Sequence, residues 1–138
     1  LFGNYAILNP KTACKNIDFS GRTLIPVRQG YTKCSVVPVT ESAIITDDVS
    51  ISSAAEKSGL AVLLVSKGDV ALPGREYGFV GGCCGLIAPD IMLFNGSLSS
   101  HKDGEKIRAF LSSFGVRAEE AGDFQLTDIG SILPLAER

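Results

Sequence analysis

The chain has 138 residues (14.5 kDa), is 45% hydrophobic and 20% charged, and carries 13 Lys+Arg against 15 Asp+Glu. That is one domain's worth of chain, long enough to bury a core and too apolar for intrinsic disorder. A net charge of -2 leaves no clustered cations for nucleic acid, and the longest apolar run, Leu60 to Val65, falls far short of the roughly 18 residues of a membrane span.

In chain order, Tyr5 to Leu8 reads as a strand closed by Asn9-Pro10, and Thr12 to Ile17 as one or two helical turns. Arg22 to Val27 is strand-like, with Pro26 confining it to an edge or a strand end. Cys34 to Val39 and Ser42 to Thr46 form two short strands around Thr40-Glu41. A helix follows, capped by Asp47 or Asp48, striped by Ile51, Ala54 and Ala55, and ended by Gly59. Leu60 to Val65 is an unbroken apolar run, as expected of a strand buried on both faces. A loop with a short strand around Val70 to Leu72 leads to Gly81-Gly-Cys-Cys-Gly. Leu86-Ile-Ala and Ile91 to Phe94 are strands, and Asn95-Gly96 is a turn. Ser100 with Asp103 resembles a capping box. Ile107, Phe110, Leu111 and Phe114 fall at i, i+3, i+4 and i+7, a helix with one buried face that Gly115 ends. Val116 opens a short strand, and Gln125 to Ile129 and Ile132 to Leu135 are closing strands.

The order recurs. Cys34-Ser-Val-Val-Pro aligns with Cys84-Gly-Leu-Ile-Ala, Ala43-Ile-Ile-Thr-Asp-Asp with Ile91-Met-Leu-Phe-Asn-Gly, and Gly59-Leu-Ala-Val with Gly115-Val-Arg-Ala. The expected fold is α/β, with tandem ββαβ modules over residues 34–80 and 81–138 and a partial module over 1–33. Four cysteines at 14, 34, 83 and 84 show neither disulfide-framework density nor a C-x-x-C metal spacing. They read as free thiols in a reducing, cytoplasmic compartment. No cofactor or metal is implied. Leu1 is not a Met, so the chain reads as processed or as a piece of a longer protein.

Asp90-Ile-Met-Leu-Phe-Asn-Gly, with its capped helix and Gly115, resembles the Gly-Asp-Val-Leu-Phe-Thr-Gly module of penteins, the guanidino-group-modifying superfamily. Gly30-Tyr-Thr-Lys-Cys34-Ser-Val-Val-Pro resembles that superfamily's His-Leu-Lys-Ser-x-Cys segment. Gln29-Gly-Tyr-Thr-Lys-Cys, Ile44-Ile-Thr-Asp, Tyr77-Gly-Phe-Val-Gly-Gly-Cys-Cys-Gly and Leu126-Thr-Asp-Ile-Gly are similar to an uncharacterised clostridial-type family with this fold. The resemblance implies a β/α-propeller of five ββαβ modules, here incomplete, with two full modules and part of a third. Its open module edges would suit a homo-oligomer.

The resemblance also implies a Cys nucleophile, a His and guanidinium-gripping carboxylates. Gly30-Tyr31 fills the place of the His, and Thr127 to Leu135 contains no Cys. The candidate residues are therefore Cys34, Cys84 and His101 for catalysis, and Asp47, Asp90 and Asp128 for holding a small guanidino or amino-acid-like ligand. Asp47, Asp48, Asp90 and Asp128 also suit local capping, and His101 an exposed first helical turn. Gly78, Gly81, Gly82 and Gly85 match no phosphate loop and instead permit close backbone approach. The leading expectation is a pentein-like protein that has lost its chemistry and binds a ligand. The alternative is a guanidino hydrolase or amidinotransferase completed by residues upstream.

Overall fold

The computed structural model describes residues 1–14 and 16–135. In chain order the elements are β1 (Tyr5–Leu8), β2 (Thr23–Pro26), a one-turn helix α1 (Thr32–Ser35), β3 (Val36–Thr40), β4 (Ala43–Thr46), α2 (Val49–Lys57) and β5 (Ala61–Leu64). They continue with β6 (Cys84–Ala88), β7 (Ile91–Phe94), α3 (Gly104–Ser113) and β8 (Arg117–Glu120). Together they make a mixed α/β domain of three small sheets, β1-β2, β3-β4-β5 and β6-β7-β8, with no closed barrel among the described residues.

The two three-stranded sheets repeat one plan. In each, an antiparallel hairpin is followed by a helix and a parallel third strand, so the middle strand is β4 or β7. Both hairpins carry an irregularity at the same place, between Pro38 and Thr40 and between Leu86 and Ala88. Such a site tolerates Pro38, which has no N–H to give. Both helices end in a Schellman motif. Leu60 N–H reaches Ala55 O and Gly59 N–H reaches Glu56 O, while Val116 N–H reaches Leu111 O and Gly115 N–H reaches Ser112 O. Gly59 (φ 85°) and Gly115 (φ 73°) take the left-handed position this requires.

The core follows the apolar periodicity. Ile107 and Leu111 on α3 are fully buried and pack with Val37, Ile45, Met92 and Phe94, while Phe110 and Phe114 border them. Burial of each large aliphatic side chain is worth about 1.5–3 kcal/mol. A second cluster under α2 joins Ile25 of β2, Ile44 of β4 and Ile51 and Ala55 of α2.

Several expectations need correction. Pairing of Val36 with Thr46 and of Cys84 with Phe94 places Val36 over Cys84. Cys34 therefore sits over Gly82, on α1 rather than at the start of a strand. β5 is an edge strand, half-exposed rather than buried on both faces. Residues 12–17 form turns rather than a helix among the described residues. The stretches around Val70, Gln125 and Ile132 form no strands. Two of them contribute single bridges, Ala71 to Thr127 and Ser97 to Gln125. Ser100 does not cap α3. Its hydroxyl donates to Ser97 O and accepts from Leu126 N–H.

Candidate functional site

Between the two modules the chain makes a 3₁₀ turn, Val80–Gly82. Its opening N–H groups are held by two carboxylates from distant parts of the sequence. Phe79 N–H donates to Asp128 Oδ2 (2.9 Å), and Val80 N–H donates to Asp47 Oδ2 (3.2 Å). Asp47 reaches the turn because it follows directly on β4. Asp128 reaches it because Gly82 has no side chain, since a Cβ there would overlap Asp128 Oδ1. That oxygen accepts Gly130 N–H at 2.9 Å.

Helix α1 packs on the same turn and carries half-buried Cys34 and fully buried Ser35. Thr46 Oγ1 donates to Ser35 O at 2.6 Å, tying α1 to the end of β4. Two buried oxygens here have no hydrogen-bond partner, Ser35 Oγ and Asp47 Oδ1. Buried polar atoms are ordinarily paired; the Ser35 hydroxyl can give or accept, whereas Asp47 Oδ1 can only accept and lacks a donor. Asp47 is only 4% exposed, yet it borders an open groove of about 500 Å³ with Leu64, Lys67, Asp103 and Lys106.

The electrostatics are anionic. Burial raises the Asp47 carboxyl above the usual range, with Val80 N–H and Lys67 pulling the other way. Burial, then the Asp128 carboxylate, push the Cys34 thiol up, as does Asp47, against Lys33. A nucleophile is a thiolate favoured by nearby positive charge. Cys34 instead lies in the field of two carboxylates, which with burial favours the neutral thiol. Next door, burial opposes ionisation of Asp48, but hydrogen bonds from Ser50, Ile51 and Gln29 hold it below the ordinary carboxylate value. Asp48 is the N-cap of α2.

Cys34, Asp47 and Asp128 thus come together. Cys84 lies beyond the turn, 2% exposed. Its Sγ and that of Cys83 both donate to Val80 O (3.3 and 3.1 Å). The Cys83 hydrogen bond, then burial, raise the Cys84 thiol well above its ordinary value. His101 is apart from this group and is not exposed. It is 4% exposed, and its Nδ1 accepts Asp103 N–H at 3.0 Å, which puts the proton of the neutral ring on the unpartnered Nε2. Asp90 lies at the exposed β6–β7 turn, 4.0 Å from Arg117, at the end of β7 opposite Asn95.

Sequence reasoning missed Ser35, the tilted Tyr31–Phe79 ring pair (6.0 Å between centroids) and the Gln29 to Asp48 hydrogen bond. Adjacency of Ser35 to Cys34 was the one available signal. Among the described residues no three His, Cys, Asp or Glu side chains group to hold a metal, and no helix is long and apolar enough to cross a membrane.

No curated protein and no solved structure matches this chain. A family profile does, over residues 1–133. That match spans both modules, the 3₁₀ turn and both carboxylates, and the chain belongs to the family of unknown function DUF6873.

Proposed function

We propose that this is a pentein-like protein of the clostridial type that binds a small cationic molecule and has lost the chemistry of the fold. The observation that carries the reading is Asp47, a buried carboxyl with one oxygen bonded to Val80 N–H and the other without a partner. An N–H-bearing cation supplies the missing donor, and Asp128 on the same turn supplies a second anion. Charge-assisted hydrogen bonds of this kind are the stronger ones. Loss of chemistry is supported by the raised Cys34 thiol and by the position of His101, which bonds Asp103 rather than any sulfur. The repeated ββαβ plan, with its matched irregularities, supports the propeller reading. Four free cysteines support a reducing compartment such as the cytoplasm. Among the described residues the edge strands β5 and β8 carry no further strand, which suits pairing with a second copy.

One observation favours the alternative of a guanidino hydrolase or amidinotransferase, namely that α1, which carries Cys34, packs on the turn held by Asp47 and Asp128. Calorimetric titration with arginine, agmatine and simple amidines, alongside ammonia and urea release, separates the two. The expected result is saturable binding that weakens at least about tenfold (roughly 1.4 kcal/mol) in Asp47→Asn, with no turnover. Turnover that disappears in Cys34→Ala would establish the enzyme instead.

A further inference from the structure

A separate cavity of about 280 Å³ is bordered by β3, β6 and Gly81 of the 3₁₀ turn, and Asp47 is not among its lining residues. Its walls are apolar, with Ile7 of β1, Val37 of β3, Leu86 of β6 and Ile132 of the C-terminal segment. Gly85 makes the last wall possible, because a Cβ there would overlap Ile132 O. Polar side chains gather at one place, where Lys33 Nζ donates to Ser131 Oγ at 2.6 Å. Among the described residues no carboxylate pairs with Lys33. Ser131 is held at φ 147°, in a region that favours glycine.

We infer that this cavity is a second ligand site, for an amphiphilic carboxylate of medium chain length. The apolar walls take the chain and the Lys33 ammonium takes the carboxylate, while Ser131 Oγ, which accepts from Lys33 and donates to Cys84 O at 3.4 Å, holds the ammonium in place. Concave, mostly apolar sites with a few convergent polar groups are the usual form of small-molecule pockets. At about 280 Å³ the cavity lies at the small end of ligand pockets, which suits a ligand no larger than octanoate. The charge of this ligand is opposite to that of the cation proposed for the Asp47 site, so the two sites do not compete for one molecule.

The test is titration of octanoate, octylamine and 1-octanol into the full chain near neutral pH, followed by calorimetry. The wild type is compared with Lys33→Met, which keeps the stem of an exposed side chain, and with Leu86→Trp, which fills the cavity. Octanoate is expected to bind at least about tenfold tighter than octylamine. Lys33→Met should lower octanoate to the level of octanol, and Leu86→Trp should abolish both. Equal binding of octylamine and octanoate, an unchanged affinity in Lys33→Met, or no saturable octanoate binding by the folded wild type would each overturn the assignment.

Discussion

The two ββαβ modules share a plan and differ in the residues that close the middle strand. At the end of the middle strand, the first module has Thr46-Asp47-Asp48 and the second has Phe94-Asn95-Gly96. Asn95 and Asp47 both reach across to the segment that follows the third strand of their sheet. Asn95 Nδ2 donates to Thr127 O at 3.0 Å, and Asp47 Oδ2 accepts Val80 N–H at 3.2 Å. The second module uses this place to join pieces of chain. The first leaves one buried oxygen without a partner. The same position thus donates a hydrogen bond in one copy and accepts one in the other, because an amide and a carboxylate differ in what they can donate.

The helices differ in the same sense. Asp48 caps α2, accepting from Ser50 and Ile51 N–H. Asp103, at the matching end of α3, makes no cap bond and instead accepts Ser66 N–H (2.8 Å) and pairs with Lys106 (2.7 Å). One carboxylate serves its own helix. The other fastens the loop after β5 to the next module.

The largest expected effect contrasts the two cores. Leu111 and Ala55 are both fully buried on their helices, but only Leu111→Ala leaves a cavity, at a cost of about 2–5 kcal/mol in urea unfolding. A cost under about 1 kcal/mol would mean that the α3 face does not carry the second module. Next, Asn95→Asp should lose about 1–3 kcal/mol, because it removes the donor to Thr127 O and leaves that carbonyl unsatisfied. Asp48→Ala should cost about 1 kcal/mol through loss of the α2 cap, measurable as a lowered urea midpoint.

The smallest effect on stability is expected for Asp47→Asn, and its sign depends on pH. The folded carboxyl holds its proton to higher pH than the unfolded one, because burial disfavours the charge. The stability its neutral form contributes is complete below the unfolded value and is lost as pH rises through the raised one. The amide does not titrate, so the variant should gain on the wild type as pH rises through that window. Asp103 runs the other way. Its hydrogen bonds from Lys106 and Ser66 hold it well below the carboxylate range, so its contribution is present above the unfolded value and lost as pH falls. Asp103→Ala should therefore converge with the wild type in acid. Unfolding curves at several pH values check both signs.

Much of this scaffold was legible in the sequence. Ile91 to Phe94, the α3 stripe, Asp48 as a cap, and Gly59 and Gly115 as helix ends follow from local periodicity and backbone freedom. The register was not, since an apolar run does not say which residue pairs with which. Cys34 was matched with Cys84 by identity, whereas hydrogen bonding puts it over Gly82. Edge or centre was equally hidden for β5, because position in a sheet is a property of the assembled chain. Asp47 and Asp128 could be named as acids but not as partners on one turn. His101 looked like a helix-start residue and is buried by contacts with the neighbouring loop. The orphan oxygens of Ser35 and Asp47 have no local signature at all.

The central claim is that the first module's open position binds rather than reacts, and the thiol beside it tests this most directly. Alkylation of Cys34 by a small iodoacetamide-type reagent, followed peptide by peptide against pH, reads its ionisation without reference to a ligand. The account requires slow labelling near neutral pH, with a midpoint above that of ordinary cysteine and lowered by Asp128→Asn, which removes the stronger of the two opposing charges. Rapid stoichiometric labelling of Cys34 at neutral pH, with a midpoint below the ordinary thiol value, would contradict it.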